Sequence, residues 1–366
     1  SRGLGDVYKR QMIDTEKFRI RGKPMKKILA VYTGGTIGSA QEGNTVDVLK
    51  SGSCHLLEYY RREYGEDIQF ETVQPLNILS ENIGFDQWNT LCNTLLSLPL
   101  SEYDGMVITH GSDTLSYTAA LVGMVMRHTP IPIVLTAANY TLADSRSNGL
   151  RNLKSAVDFI TCRIKGVFVI YENTKGEAVV YLATRLCESD PYRDEYGSFG
   201  GEPLGRMAHG VFFPVLSPVN PSPRELNHKF EKLFEEVQLQ KKVLLIRQYP
   251  GIDYTAFQLE KYRAVLLYLY HSATACTAQG ESNVLDLTER CRSQNIPVCA
   301  ASFKGSGIQT NYATAKELLA LDVIPLFNIS PEAAYAKLCL AANAGEEAAR
   351  RLMDETVYFE ALRDFA

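Results

Sequence analysis

From residue 27 onward, short and wholly apolar runs alternate with longer stretches that are amphipathic or apolar at helical spacing. Runs at 27–32, 105–109, 132–137 and 166–171 read as buried strands, and 242–248, 264–270, 297–302 and 323–327 repeat the pattern. Each is followed by a helical stretch, for example Ser116-Tyr117-Thr118-Ala119-Ala120-Leu121-Val122-Gly123-Met124. The helix after the last run is expected to begin at Ser330-Pro331-Glu332, with Ser as its cap and Pro in its first turn. This rhythm predicts an α/β fold with two domains, each with largely parallel sheets flanked by helices.

A break in the rhythm marks the division. Four prolines (214, 218, 221 and 223) fall within ten residues, where neither a helix interior nor a central strand tolerates them. We expect a Pro-rich linker at 212–224, a larger N-terminal domain at 26–211 and a smaller C-terminal one at 225–366. A chain of 366 residues is long for one hydrophobic core, which agrees. Ahead of the first strand, residues 1–27 hold nine Lys/Arg against three Asp/Glu. The leader, 1–25, reads as a disordered or non-native extension without the apolar core of a secretory signal. Met12 and Met25 are alternative starts.

The whole chain has a formal charge of −4, which gives no reason to expect nucleic acid or a membrane surface as partner. No run of about 20 apolar residues predicts a spanning helix. Eight cysteines are scattered without a C-x-x-C pair, so free thiols and a cytoplasmic location are expected. The carboxylates of 188–195 lack ligand spacing for a metal. Asp144-Ser145-Arg146-Ser147 reads as a solvated loop, and Trp88 as a residue packing a helix onto the sheet.

Two Thr/Gly-rich turns carry the chemistry. Tyr32-Thr33-Gly34-Gly35-Thr36-Ile37-Gly38 ends the first apolar run, and Thr109-His110-Gly111-Ser112-Asp113-Thr114 ends the second. Each places small hydroxyl side chains at the carboxyl end of a strand, where ligands bind in open α/β sheets. Either turn alone is ordinary strand-to-helix punctuation; the pair suggests nucleophilic chemistry on a small polar substrate. His110 reads as a hydrogen-bonded turn residue rather than a base.

The pair, with Ser80-Glu81-Asn82-Ile83, resembles the bacterial-type L-asparaginase/glutaminase family, closer to its cytoplasmic type I branch. Asn152-Leu153 with Ala156, Tyr249-Pro250-Gly251-Ile252 and Asn311-Tyr312-Ala313-Thr314 extend the resemblance over nearly the whole chain. It implies hydrolysis of the side-chain amide of L-asparagine, with Thr36 as nucleophile and Thr33 as a supporting hydroxyl. Ser112 and Asp113 form a second catalytic cluster, with Asp113 also receiving the substrate ammonium. Ser80 and Glu81 hold the amino-acid end, and Gly35, Gly111 and Ala137 complete the substrate site. No metal or organic cofactor is implied, and a homodimer or homotetramer is.

The chain departs from the family pattern at four places. Arg185 occupies the position of a catalytic Lys and cannot lose its proton. Ser112 replaces a Thr. Residues 39–52 contain no Tyr, and Thr274 falls near an Asn that the family contributes from a neighbouring subunit. Two rivals follow: the amidase subunit of a transamidosome, which calls for a further N-terminal domain, and an amino-acid-binding or regulatory protein with weak or lost turnover.

Overall fold

The computed structural model describes residues 20–21, 27–35, 37, 39–42, 45–48, 52–65, 67–304 and 312–363. The chain divides into two compact units, 1–235 and 236–366. In the first, the strands are β1 (Ile20–Arg21), β2 (Lys27–Tyr32), β3 (Ser39–Glu42), β4 (Thr45–Val48), β5 (Gln69–Val73), β6 (Gly105–Thr109) and β7 (Pro132–Thr136). Then follow β8 (Gly166–Glu172), β9 (Ala178–Leu182), β10 (Leu186–Asp190), β11 (Glu195–Ser198), β12 (Gly205–Ala208) and β13 (Val211–Pro214). The helices are α1 (Gly52–Tyr64), α2 (Phe85–Ser97), α3 (Leu115–Val125), α4 (Gly149–Thr161) and a short α5 (Pro223–Leu226).

Nine strands form one sheet in the order β1-β13-β12-β9-β8-β7-β6-β2-β5. The run from β5 to β8 is parallel, and β9, β12, β13 and β1 extend it antiparallel. Both β6 and β7 are buried at every residue, as central parallel strands with both faces covered must be. The order reverses at β2: the chain leaves it for β5 on one side and returns to β6 on the other. The crevice between β2 and β6 is therefore the switch point, the place where such a sheet can admit a ligand beyond its strand ends.

Among the described residues of the second unit, β14 (Val243–Arg247), β15 (Ala264–Tyr268), β16 (Val298–Phe303) and β17 (Ile324–Phe327) pair in parallel and in chain order. α6 (Val284–Ser293) lies between β15 and β16 and α7 (Ala313–Ala320) between β16 and β17, while α8 (Pro331–Asn343) and α9 (Glu346–Asp354) follow β17. An order that never reverses offers no switch-point crevice. The Ser330 side chain accepts the Ala333 N–H and caps α8, with Pro331 in its first turn. Near the C-terminus, the fully buried Glu360 carboxylate takes Lys337 Nζ at 2.8 Å and the Val357 and Tyr358 N–H groups.

The apolar runs become β2, β6, β7, β8 and β14 to β17, and the 116–124 stretch lies inside α3. Among the antiparallel strands after β8, β9 is apolar but fell outside the expected strands, and the four-residue β12 and β13 were too short to stand out. At the start of the Pro-rich stretch, Phe212-Phe213-Pro214 belongs to β13, where Pro214 takes the last position, opposite Gly205. Farther along, Ser222 and Glu225 make a reciprocal cap on α5. Within the leader, Ile20 and Arg21 pair with Phe212 and Val211; the rest of 1–26 lies outside the described residues. Trp88 joins α2 to a second helix: its indole N–H donates to Thr118 on α3 at 3.0 Å. Asp144 and Arg146 form an exposed pair at 2.6 Å, a solvated loop.

Asn152 on α4 is fully buried and spans two strand ends, donating to the Ala137 carbonyl at 2.9 Å and accepting the Glu172 N–H at 2.8 Å. Asn152→Ala leaves both backbone groups unpaired. The expected loss is about 2–4 kcal/mol of unfolding free energy, measured by urea titration, since an orphaned buried group costs about 1–3 kcal/mol.

Candidate active site

Three turns meet beyond the carboxyl ends of β2 and β6. In the first, the Thr33 N–H and the Thr33 hydroxyl both donate to the Thr109 carbonyl, at 3.2 and 2.9 Å. That continues the β2–β6 pairing one residue past the strand and spends the Thr33 hydroxyl on backbone. On the other side, Ile78 N–H donates to the Thr33 carbonyl and Gly35 N–H to the Ile78 carbonyl, at 3.1 and 2.9 Å. The segment leading to Ser80 is thereby stitched to the first turn.

Glycine is required where the turns touch. Gly34 and Gly35 have φ of +104° and +79°, a region that side chains rarely adopt. A Cβ on Gly35 would lie 2.5 Å from the Gly111 nitrogen and 2.6 Å from its Cα. One on Gly111 would lie 2.6 Å from the Ser80 Cβ. Backbone, backbone and a small hydroxyl residue are thus layered at contact distance, which brings Gly35, Gly111 and Ser80 into one site. Thr36, assigned as nucleophile, lies outside the described residues.

Beyond Gly111 the second turn opens outward. Asp113 is exposed and Ser112 half-buried, whereas Ser80 is buried. The Ser80 hydroxyl faces Asp113 Oδ2 at 3.5 Å, the outer limit of a hydrogen bond, and Thr114 Oγ1 donates to the Ser80 carbonyl at 2.9 Å. Glu81 is exposed on the 3-10 turn Ser80–Asn82. Asp113 and Glu81 are thus exposed carboxylates on the segments that carry Gly111 and the buried Ser80 hydroxyl. Ala137 is fully buried just past β7, its carbonyl already taken by Asn152.

His110 is buried, and its Nδ1 lies 2.8 Å from the Gly111 carbonyl. A carbonyl can only accept, so Nδ1 carries the proton and Nε2 is left as a neutral acceptor. Burial pushes the imidazole pKa down to about 4, against opposing contributions from the Gly111 bond and the Asp113 charge. A ring of that basicity serves as an anchor of the turn, in agreement with its reading from sequence. Arg185, on the turn Ala183–Arg185, is 2% exposed and donates from Nη1 to the Val219 carbonyl at 2.6 Å. It ties the end of β9 to the Pro-rich segment.

Sequence reasoning missed Ile78, which clamps the first turn, and Tyr196, whose hydroxyl donates to the Ser112 carbonyl at 2.6 Å. Neither has a local signal, because both act across sequence separations that only the fold closes.

The family model described as "Asparaginase, N-terminal" matches residues 27–213, half of the chain. The chain belongs to the asparaginase family. It is 29% identical over 346 residues to an L-asparaginase of Thermococcus kodakarensis, covering 90% of this chain and 98% of that protein. It is 26% identical over 350 residues to a glutamyl-tRNA(Gln) amidotransferase subunit of Methanococcus maripaludis strain C5, covering 92% of this chain and 81% of that one. Among solved structures, the thermostable L-asparaginase from Thermococcus kodakarensis superposes with a TM-score of 0.74 at 24% identity, and L-asparaginase I from Vibrio cholerae with 0.70 at 22%. Each superposition covers 92% of this chain and 99% of the other, and shows the shared fold.

A neutral buried histidine makes this family member sensitive to acid. In the unfolded chain His110 takes up a proton near pH 6.5, and in the folded one only near pH 4. Between those values the unfolded state binds more protons, so stability falls as pH falls through the window, by up to about 3 kcal/mol from this group. Urea midpoints measured from pH 6.5 to pH 4 are expected to fall less steeply in His110→Gln than in the wild type.

Proposed function

We propose that the chain hydrolyses the side-chain amide of L-asparagine to L-aspartate and ammonia, and L-glutamine as a secondary substrate. The observation that carries this reading is the layering of Gly35, Gly111 and Ser80 at the switch point, which sets a hydroxyl-bearing turn beside a carboxylate-bearing one. An amide is a poor electrophile with a poor leaving group, and an alcohol nucleophile divides its hydrolysis into two easier steps. The Thr36 hydroxyl oxygen attacks the amide carbon, its proton passes to the leaving nitrogen, and ammonia departs from an acyl ester. Water then cleaves the ester and restores the hydroxyl. Backbone N–H groups at the glycine turns stabilise the oxyanion, an effect worth about 2.7–4 kcal/mol per donor.

Thr36 rather than Thr33 takes the nucleophile's role because the Thr33 hydroxyl already donates to Thr109. Asp113 and Glu81 receive the α-ammonium, Ser80 donates to the α-carboxylate, and Ser112 with Asp113 activates water. Gly111 and Ala137 line the pocket through backbone. Arg185 supplies fixed positive charge behind this cluster and no proton relay. In this reading the enzyme is a homodimer or homotetramer of the cytoplasm. Cys92, Cys291, Cys299 and Cys339 are buried thiols, which suits a reducing compartment. No helix among the described residues is long and apolar enough to cross a membrane.

A second reading, an amide-hydrolysing component that acts with partner proteins, is favoured by the likeness to a glutamyl-tRNA(Gln) amidotransferase subunit. Ammonia release from free asparagine by the purified chain alone separates the two. Turnover without a partner supports the first, and turnover only with one supports the second.

Thr36→Ala is expected to abolish nearly all ammonia release while L-aspartate still binds, measured by a coupled ammonia assay and by calorimetry. Thr33→Ala should keep part of the activity. An inactive Thr33→Ala beside an active Thr36→Ala would reverse the assignment.

N-acetyl-L-asparagine presents a neutral amide to two carboxylates. Its turnover should be at least about tenfold lower than that of asparagine, since a charge-assisted hydrogen bond is worth about 1.5–3 kcal/mol. Equal kcat/KM for the two substrates would remove Asp113 and Glu81 from the pocket.

A further inference from the structure

We propose that Tyr196 is a positioning residue: its hydroxyl holds the Ser112–Asp113 peptide, and through it the Asp113 carboxylate, in the orientation that receives the substrate ammonium. The proposal rests on the amidohydrolase reading above. Tyr196 lies on β11, within the β10–β11 hairpin, 84 residues along the chain from Ser112. Its hydroxyl donates to the Ser112 carbonyl at 2.6 Å, the short end of the range for such bonds. The Leu115 N–H also reaches that carbonyl, at 3.4 Å, so the tyrosine makes the closer of these two contacts.

The ring is itself fixed. Tyr196 is 6% exposed. The Tyr171 ring meets it at 84° with centroids 4.9 Å apart, and the Tyr181 hydroxyl donates to the Tyr196 carbonyl at 2.9 Å. A donor held by its ring on one side and its backbone on the other is a rigid support. Burial, with the Asp113 charge nearby, keeps the phenol pKa well above its ordinary value, so the hydroxyl stays a donor throughout the working range.

What the bond holds is geometrically definite. The carbonyl of Ser112 and the N–H of Asp113 belong to one planar peptide, so fixing the first restricts the backbone torsions that aim the Asp113 side chain. Asp113 needs such support. It is exposed, and its contact with Ser80 is long at 3.5 Å.

Tyr196→Phe removes one oxygen and keeps the ring contacts. We expect kcat/KM for L-asparagine to fall about tenfold, mainly through KM, and kcat/KM for succinamate to change less than about twofold. Succinamate keeps the carboxylate and the amide but lacks the α-amino group. Tyr103→Phe, which removes a hydroxyl bonded to Glu71 rather than one that supports Tyr196, should not alter the ratio between the two substrates. Equal losses on both substrates in Tyr196→Phe would mean a general structural role and overturn the proposal, as would no loss on either. Calorimetric binding of L-aspartate against succinate makes the same comparison without turnover. If the wild type releases no ammonia, the hydrolase reading falls while the binding ratio still reports on Tyr196. A wild type that binds succinate as tightly as L-aspartate overturns the positioning role.

Discussion

The site depends on the contact between two glycine backbones. Gly35 and Gly111 approach so closely that a methyl group on Gly35 would overlap the peptide opposite, and Ser80 sits against the second glycine in the same way. Nothing bulkier fits between the ends of β2 and β6, so the two hydroxyl-bearing turns stand at one fixed separation. The sheet supplies the frame for this approach. β2 and β6 are hydrogen-bonded neighbours, and the Thr33–Thr109 bonds carry that pairing into the turns. Ser80 takes its position from that stack, and the Ser112 carbonyl is held from outside it by Tyr196.

Much of the large sheet and the glycine turns was legible in the sequence for one reason. Central parallel strands are apolar on both faces and stand out as uninterrupted runs, while two strand-end glycine turns with hydroxyl neighbours gain meaning as a pair that neither has alone. The antiparallel extension was hidden because β12 and β13 are only four residues long, and β12 carries an exposed Arg206 between buried positions. The Pro-rich stretch shows how punctuation misleads. Pro214 does not prevent β13, because a last strand residue can do without its N–H, whereas Ser222-Pro223 starts a helical turn. Trp88 reads as a sheet-packing residue only until its indole N–H needs a partner, which it finds on α3.

Around the candidate site, local sequence revealed the groups assigned to the chemistry by resemblance and concealed most of those that hold them. Ser112 and Asp113 announce themselves by their motif. Tyr196, Ile78 and Asn152 make specific bonds to backbone atoms 84, 45 and 15 residues away, and no periodicity encodes such a partner. Arg185 illustrates the intermediate case. Its charge and its place after Thr184 draw the eye, but its full burial and its bond to the Val219 carbonyl appear only in three dimensions.

The switch point also has a meaning in time. β5 and β6 both pair with β2 from later in the chain, and the first turn takes its final form only when Thr109 is present to accept from Thr33, 76 residues on. During synthesis the first turn is made early and lacks its Thr109 partner until β6 arrives. Such distant parallel pairings form slowly. On the proposed hydrolase reading, ammonia release cannot precede this pairing, so the onset of activity during refolding would follow its closure.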